Sequence, residues 1–142
     1  MQVMKTKHIL LTAVGLLMFL VASAQEQPLT PEQRAKKMRE AIDKMVENYE
    51  ESLQLEDWQA FYADSILTHN MEERNKEMEA LMANKVENYD LYTMIGDKWD
   101  EQTYIAFQKI LTEEQWKKFL KTGADRAKKA RDKRAAKREG KK

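Results

Sequence analysis

Apolar side chains recur along this chain at intervals of three and four, and no strand-length stretch alternates apolar with polar residues. The clearest such repeat is Met38, Ile42, Met45, Val46, Tyr49 and Leu53, which share one face of a helix over about four turns. Leu29-Thr30-Pro31-Glu32-Gln33 marks its start. Thr30 suits the N-cap and Pro31 the first helical position. Gln33 stands third, where its amide can reach back to the Thr30 backbone. Leu29, just before the cap, is placed to act as a hydrophobic staple.

A second, shorter helix is expected over residues 57–68, with Trp58, Phe61, Tyr62, Ser65 and Ile66 on one face and Leu67 beside it. Asn70-Met71-Glu72-Glu73 has the form of a capping box, which predicts a new helix through Met78, Leu81, Met82 and Val86. Asn88-Tyr89-Asp90 is the expected break. A further helix follows from about Leu91 to Ile110, with Tyr92, Ile95, Trp99, Thr103, Ala106 and Ile110 in register. Gly96 weakens it by about 1 kcal/mol relative to alanine and marks where a kink or break would fall. Leu111-Thr112-Glu113-Glu114-Gln115 then repeats the opening cap and starts a last helix, whose packed face is Trp116, Phe119 and Leu120.

The pattern is all-α: four to five helices, extended or bundle-like, with a basic helical C-terminal extension. Val46-Glu47-Asn48-Tyr49-Glu50 and Val86-Glu87-Asn88-Tyr89-Asp90 resemble each other, but a solenoid needs about three repeats. The match reads as coincidence or old duplication.

Composition adds a compartment and a charge asymmetry. Lys5 and Lys7, the apolar run Ile9 to Val21, and Ala22-Ser23-Ala24 have the layout of an export signal over residues 1–24. The apolar run is short of the roughly 20 residues a membrane span needs, and no cysteine follows it to carry a lipid. Cleavage near Ala24 would release a periplasmic or secreted protein. Its helical domain is expected over residues 25–123 and its tail over 124–142. With no cysteine anywhere, disulfides contribute nothing, and the fold must rest on helix packing and surface charge. From Gln25 to Trp116 there are 10 Lys/Arg against 21 Asp/Glu, and from Lys117 to Lys142 there are 13 against 3. The body is acidic and the tail basic. Residues 124–138 offer no apolar side chain larger than alanine, so the tail is expected as a solvent-exposed helical extension.

Catalytic arrangements find little to build on. There is no thiol nucleophile, Gly-rich phosphate loop or HExxH, and His69 is the sole histidine after residue 24. Ser65 stands one helical turn before His69, without an orienting group or oxyanion site. The paired carboxylates Glu50/Glu51, Glu56/Asp57, Glu72/Glu73 and Glu113/Glu114 fall at helix starts or on polar faces, where negative charge is favourable by itself. No enzyme, cofactor or metal centre is expected. Most of the aromatic residues are expected in the core. Met38, Met45, Met71, Met78, Met82 and Met94 suit either an irregular core or an adaptable binding surface. The tail has no aromatic residue to stack on bases, which argues against nucleic acid and leaves anionic envelope surfaces or acidic partners.

The two opening caps, Leu29-Thr30-Pro31-Glu32-Gln33 and Leu111-Thr112-Glu113-Glu114-Gln115, both read L-T-x-x-Q. With the surrounding string Lys109 to Phe119, they give the chain a resemblance to the CpxP/Spy, or LTxxQ, family of periplasmic proteins. Size, export signal, helical pattern, missing cysteine and abundant methionine agree with it. The resemblance implies an ATP-independent envelope-stress chaperone, a helical homodimer that holds unfolded or misfolded proteins. It also implies that Thr30, Gln33, Thr112 and Gln115 are motif residues with a capping role, while client-binding residues stay unassigned. The acidic body departs from the basic client surface of that family. The other reading is a small structural or regulatory envelope protein that docks through its basic tail.

Overall fold

The computed structural model describes residues 28–140, so the export segment expected at residues 1–24 lies outside the described residues. The chain divides into two compact units after Arg34. In the first, the Thr30 amide donates to Gln33 Oε1 (3.0 Å) and the Gln33 amide to Thr30 Oγ1 (3.2 Å), a reciprocal box on an exposed helix start. In the second, every regular element is helical and no strand occurs among the described residues. No helix there is long and apolar enough to cross a membrane.

Helix α1 spans Pro31–Leu53 and buries Ile42, Val46 and Leu53, with Met38, Met45 and Tyr49 packed alongside. This is the stripe that the 3–4 spacing predicts. Gln54 then takes a left-handed backbone (φ 54°), ending the helix.

Helix α2 departs from expectation. It runs unbroken over Asp57–Ala83, with no restart at Asn70. Asn70 is buried, and its amide donates across to Thr103 Oγ1 on the next helix (2.9 Å). A polar residue read as a cap is instead an interhelical tie, because Thr103 offers a better partner than the local backbone. The inner face is also not the aromatic one. Gln59, Ala60, Ala63, Leu67 and Asn70 point inward, while Trp58, Phe61 and Tyr62 face solvent. The small side chains Ala60 and Ala63 leave no width for rings on the buried side, and the aromatics are placed opposite.

Helix α3 spans Tyr89–Ile110, capped by the Asn88 side chain, which accepts from the Asp90 amide (3.0 Å). It pairs antiparallel with α2 through Asn70–Thr103, Arg74–Asp100 and Glu77–Trp99. Gly96 neither kinks nor breaks it. That glycine is buried where the Arg74 guanidinium crosses, with Nη2 3.3 Å from where a Cβ would stand. The two Val-Glu-Asn-Tyr segments adopt different structures, one inside α1 and one running from the α2–α3 connection into the first residue of α3, so they are not a structural repeat.

Helix α4 (Glu113–Phe119) opens with the Thr112/Gln115 box and passes through one π turn, Leu120–Ala124, into α5 (Asp125–Glu139). Gly123 sits in that turn at φ +106°, a conformation in which an L side chain is strained even though nothing lies within 4 Å of its Cβ position. The Tyr49, Phe107, Phe119, Tyr104 and Trp116 rings meet in the core at centroid separations of 4.9–6.4 Å.

The tail is helical but not a free extension. Helix α5 lies antiparallel along α3. Arg131 pairs with Glu101 (3.0 Å), Arg134 with Asp97 (2.9 Å) and Arg138 with both Asp90 and Asp97 (3.2 Å each). Arg131 is buried, its guanidinium 5.6 Å from the Tyr104 ring centroid. Guanidinium groups thus do the docking that absent apolar side chains cannot.

The Arg134 and Arg138 guanidiniums hold the Asp97 carboxyl below the usual carboxylate range. A depressed folded value makes this contact fully stabilising above the unfolded pKa, near pH 4, and lost as pH falls through the lower folded value. Melting temperature should therefore drop as pH is taken from 5 to 2. Asp97→Asn should flatten part of that fall, the rest tracking Asp64, which Arg39 depresses in the same way, and Glu73, which Lys76 depresses. A curve that Asp97→Asn leaves unchanged would contradict the assignment.

Candidate functional site

Two features stand out near the start of α2, one inward and one outward. The inward feature is a junction of helix ends built on two glutamines. Gln59 Oε1 accepts from the Glu56 amide (2.9 Å) and Gln115 Oε1 from the Thr112 amide (2.9 Å), each side chain closing its own helix start. The two carboxamides then face each other. Gln59 Nε2 donates to Gln115 Oε1 (2.7 Å), and Gln115 Nε2 donates to Gln59 Oε1 (2.9 Å). Their remaining protons go to backbone carbonyls, Gln59 to Ile110 (2.8 Å) and Gln115 to Gln54 (3.2 Å). Both amides therefore use all their hydrogen-bonding capacity. The end of α1, the start of α2, the end of α3 and the start of α4 are held at one point.

Of the L-T-x-x-Q residues, Thr112 and Gln115 belong to this junction, with Leu111 packed on the adjoining core. Leu29, Thr30 and Gln33 form a local, exposed helix start and make no part of it. The sequence reading missed Gln59. A cue was present: Leu55-Glu56-Asp57-Trp58-Gln59 has the same leucine and glutamine spacing, with glutamate in place of threonine. A glutamate cap hides the resemblance, although its backbone amide is served by the glutamine in the same way.

The outward feature is the aromatic face. Trp58 is 50% exposed, Phe61 70% and Tyr62 51%, on two successive turns of α2. The rings brace one another, Trp58 edge-on to Tyr62 at 6.2 Å and Phe61 to Tyr62 at 5.9 Å. The Trp58 indole donates to Glu56 (2.6 Å), which fixes the ring against a carboxylate. Because the helix beneath is anchored through Gln59, these rings stand on a rigid base. At the far end of the α2–α3 pair lies an apolar groove lined by Leu81, Leu91, Met94, Ile95 and Lys98. Met82 and Met94 are exposed, whereas Met38, Met45 and Met71 pack on the core.

Ser65 and His69 are not brought together as a reactive pair. The Ser65 hydroxyl donates to the Phe61 carbonyl (2.9 Å), and His69 lies edge-on to Trp99 at 6.1 Å. Among the described residues, no group of three or more His, Asp or Glu is arranged to hold a metal ion. Comparison of the chain with models of known protein families, with characterised proteins and with solved structures finds no match to any of them.

Proposed function

We propose that this protein is an exported, ATP-independent binding protein of holdase type, resembling the CpxP/Spy chaperones, which shields apolar segments of unfolded or misfolded proteins. The observation that carries the reading is the standing exposure of Trp58, Phe61 and Tyr62 on one anchored helix face. Three large rings left in water on a well-packed helix mark an interaction surface, since single exposed apolar residues are common but clustered aromatics are not. Aromatic rings also give much contact area for little loss of side-chain freedom. The methionines at the other end of the α2–α3 pair would add an adaptable second contact. Periplasmic location and dimerisation belong to this proposal.

The rival reading, docking through the basic tail, is the weaker. Arg131, Arg134 and Arg138 are already committed to α3 carboxylates, which leaves an external anionic surface the outward cations Arg126, Lys133 and Lys137.

The test is suppression of aggregation of a chemically denatured client diluted into buffer without ATP. The protein should protect at equimolar amounts. Trp58→Ala/Phe61→Ala/Tyr62→Ala should need about tenfold more protein for the same effect, since a few aromatic anchors carry most of a binding energy. Circular dichroism should show unchanged helix. Equal protection by the variant would remove the face from the mechanism.

A further inference from the structure

We infer that the exposed face of α2 selects segments that carry cationic as well as apolar side chains, such as a hydrophobic stretch flanked by lysine or arginine. This rests on the binding reading above and specifies what is bound. The charge along the stretch of chain that carries the rings is one-sided. No Lys or Arg occurs from Met45 to Glu73, a stretch that holds eight Asp or Glu. Asp64 is engaged by Arg39 and Glu73 by Lys76. Among the described residues, Glu47, Glu50, Glu51, Glu56, Asp57 and Glu72 form no salt bridge. The inward cations of the basic tail are taken by Asp90, Asp97 and Glu101 on α3.

Carboxylates bracket the aromatic patch along the helix. Glu56 touches Trp58 at one end. Glu72 lies on the same side of α2 some three turns past Tyr62, about 15 Å at helical rise. A purely apolar segment would gain only the ring contacts there, and an acidic one would meet like charge. A segment with Lys or Arg beside its apolar residues satisfies both. The cation pairs with a carboxylate or lies on a ring face, and the side-chain stem covers apolar surface. The fold uses the same chemistry internally, with Lys98 4.7 Å from the Trp99 ring centroid and Arg131 5.6 Å from that of Tyr104.

Two labelled peptides with one apolar centre, flanked by lysines in one and glutamates in the other, should be titrated into the protein by fluorescence anisotropy. The lysine-flanked peptide should bind about tenfold tighter or more at low salt, and the gap should narrow at about 0.5 M salt. Glu56→Gln/Asp57→Asn/Glu72→Gln should erase most of the preference while leaving the fold intact. Equal affinity for the two peptides, or preference for the acidic one, overturns the inference but leaves the binding reading standing. No binding of either peptide overturns both. Self-association abolished by Phe61→Ala would assign the face to a second copy and also overturn the inference.

Discussion

Replacing Phe107 by alanine should lower the unfolding free energy by about 3–5 kcal/mol, the range for deleting a buried ring and leaving its cavity. Phe107 is fully buried on α3 and lies edge-on to Tyr49 of α1 at 5.3 Å and tilted against Phe119 of α4 at 5.3 Å. Three helices therefore lose a shared contact at once. Collapse into the space is opposed by neighbours that are themselves held, Tyr104 against Trp116 and Trp116 stacked on Phe119. Against a total stability of about 5–15 kcal/mol for a domain of this size, the loss is a large fraction. Urea denaturation followed by circular dichroism measures it. Phe61→Ala is the matched control, because the same deletion at a ring 70% exposed should change stability by no more than about 0.5 kcal/mol. Similar losses at both positions would mean that the inside and outside of α2 have been assigned wrongly.

That assignment is also where sequence and structure part most. The α1 stripe was legible because its outer face is uniformly polar, so the 3–4 spacing had one solution. Along α2 the apolar residues run round both sides of the helix. Two faces compete, and ring size favours the wrong one. The true inner face is made of alanines, a leucine and two amides, and only knowledge of the close approach to neighbouring helices would select it. The tail fails for a related reason. A search for apolar residues larger than alanine finds none after Ala124, yet Arg131, Arg134 and Arg138 match the carboxylates at Glu101, Asp97 and Asp90 in antiparallel register. The acidic body and the basic tail were visible separately; their juxtaposition depends on the turn at Gly123. The caps were legible as local hydrogen-bond chemistry. Their pairing across Gln59 and Gln115 was not, because two boxes some fifty residues apart carry no local sign that they meet.

Replacing Gln59 with leucine should destabilise the protein by about 2–4 kcal/mol, although the swap keeps side-chain size and makes a buried position more apolar. Gln59 is 1% exposed, so the groups it serves cannot turn to bulk water. Its loss strands the Glu56 amide, the Ile110 carbonyl and one donor and one acceptor of Gln115. A buried polar group left without a partner costs about 1–3 kcal/mol, and some of these will be partly rehydrated from the Gln115 side. Gln115→Leu should cost less, since that residue is half-buried, but it should loosen the same helix ends. The decisive measurement is a double-mutant cycle. If the reciprocal amide pair is the tie, Gln59→Leu/Gln115→Leu should be less damaging than the sum of the two single changes by about 1–3 kcal/mol. The double variant no longer maroons one amide against an apolar neighbour, and the two leucines can pack together. Additive losses would mean that each glutamine acts only on its own helix start, and that the rigid base under Trp58, Phe61 and Tyr62 has another source.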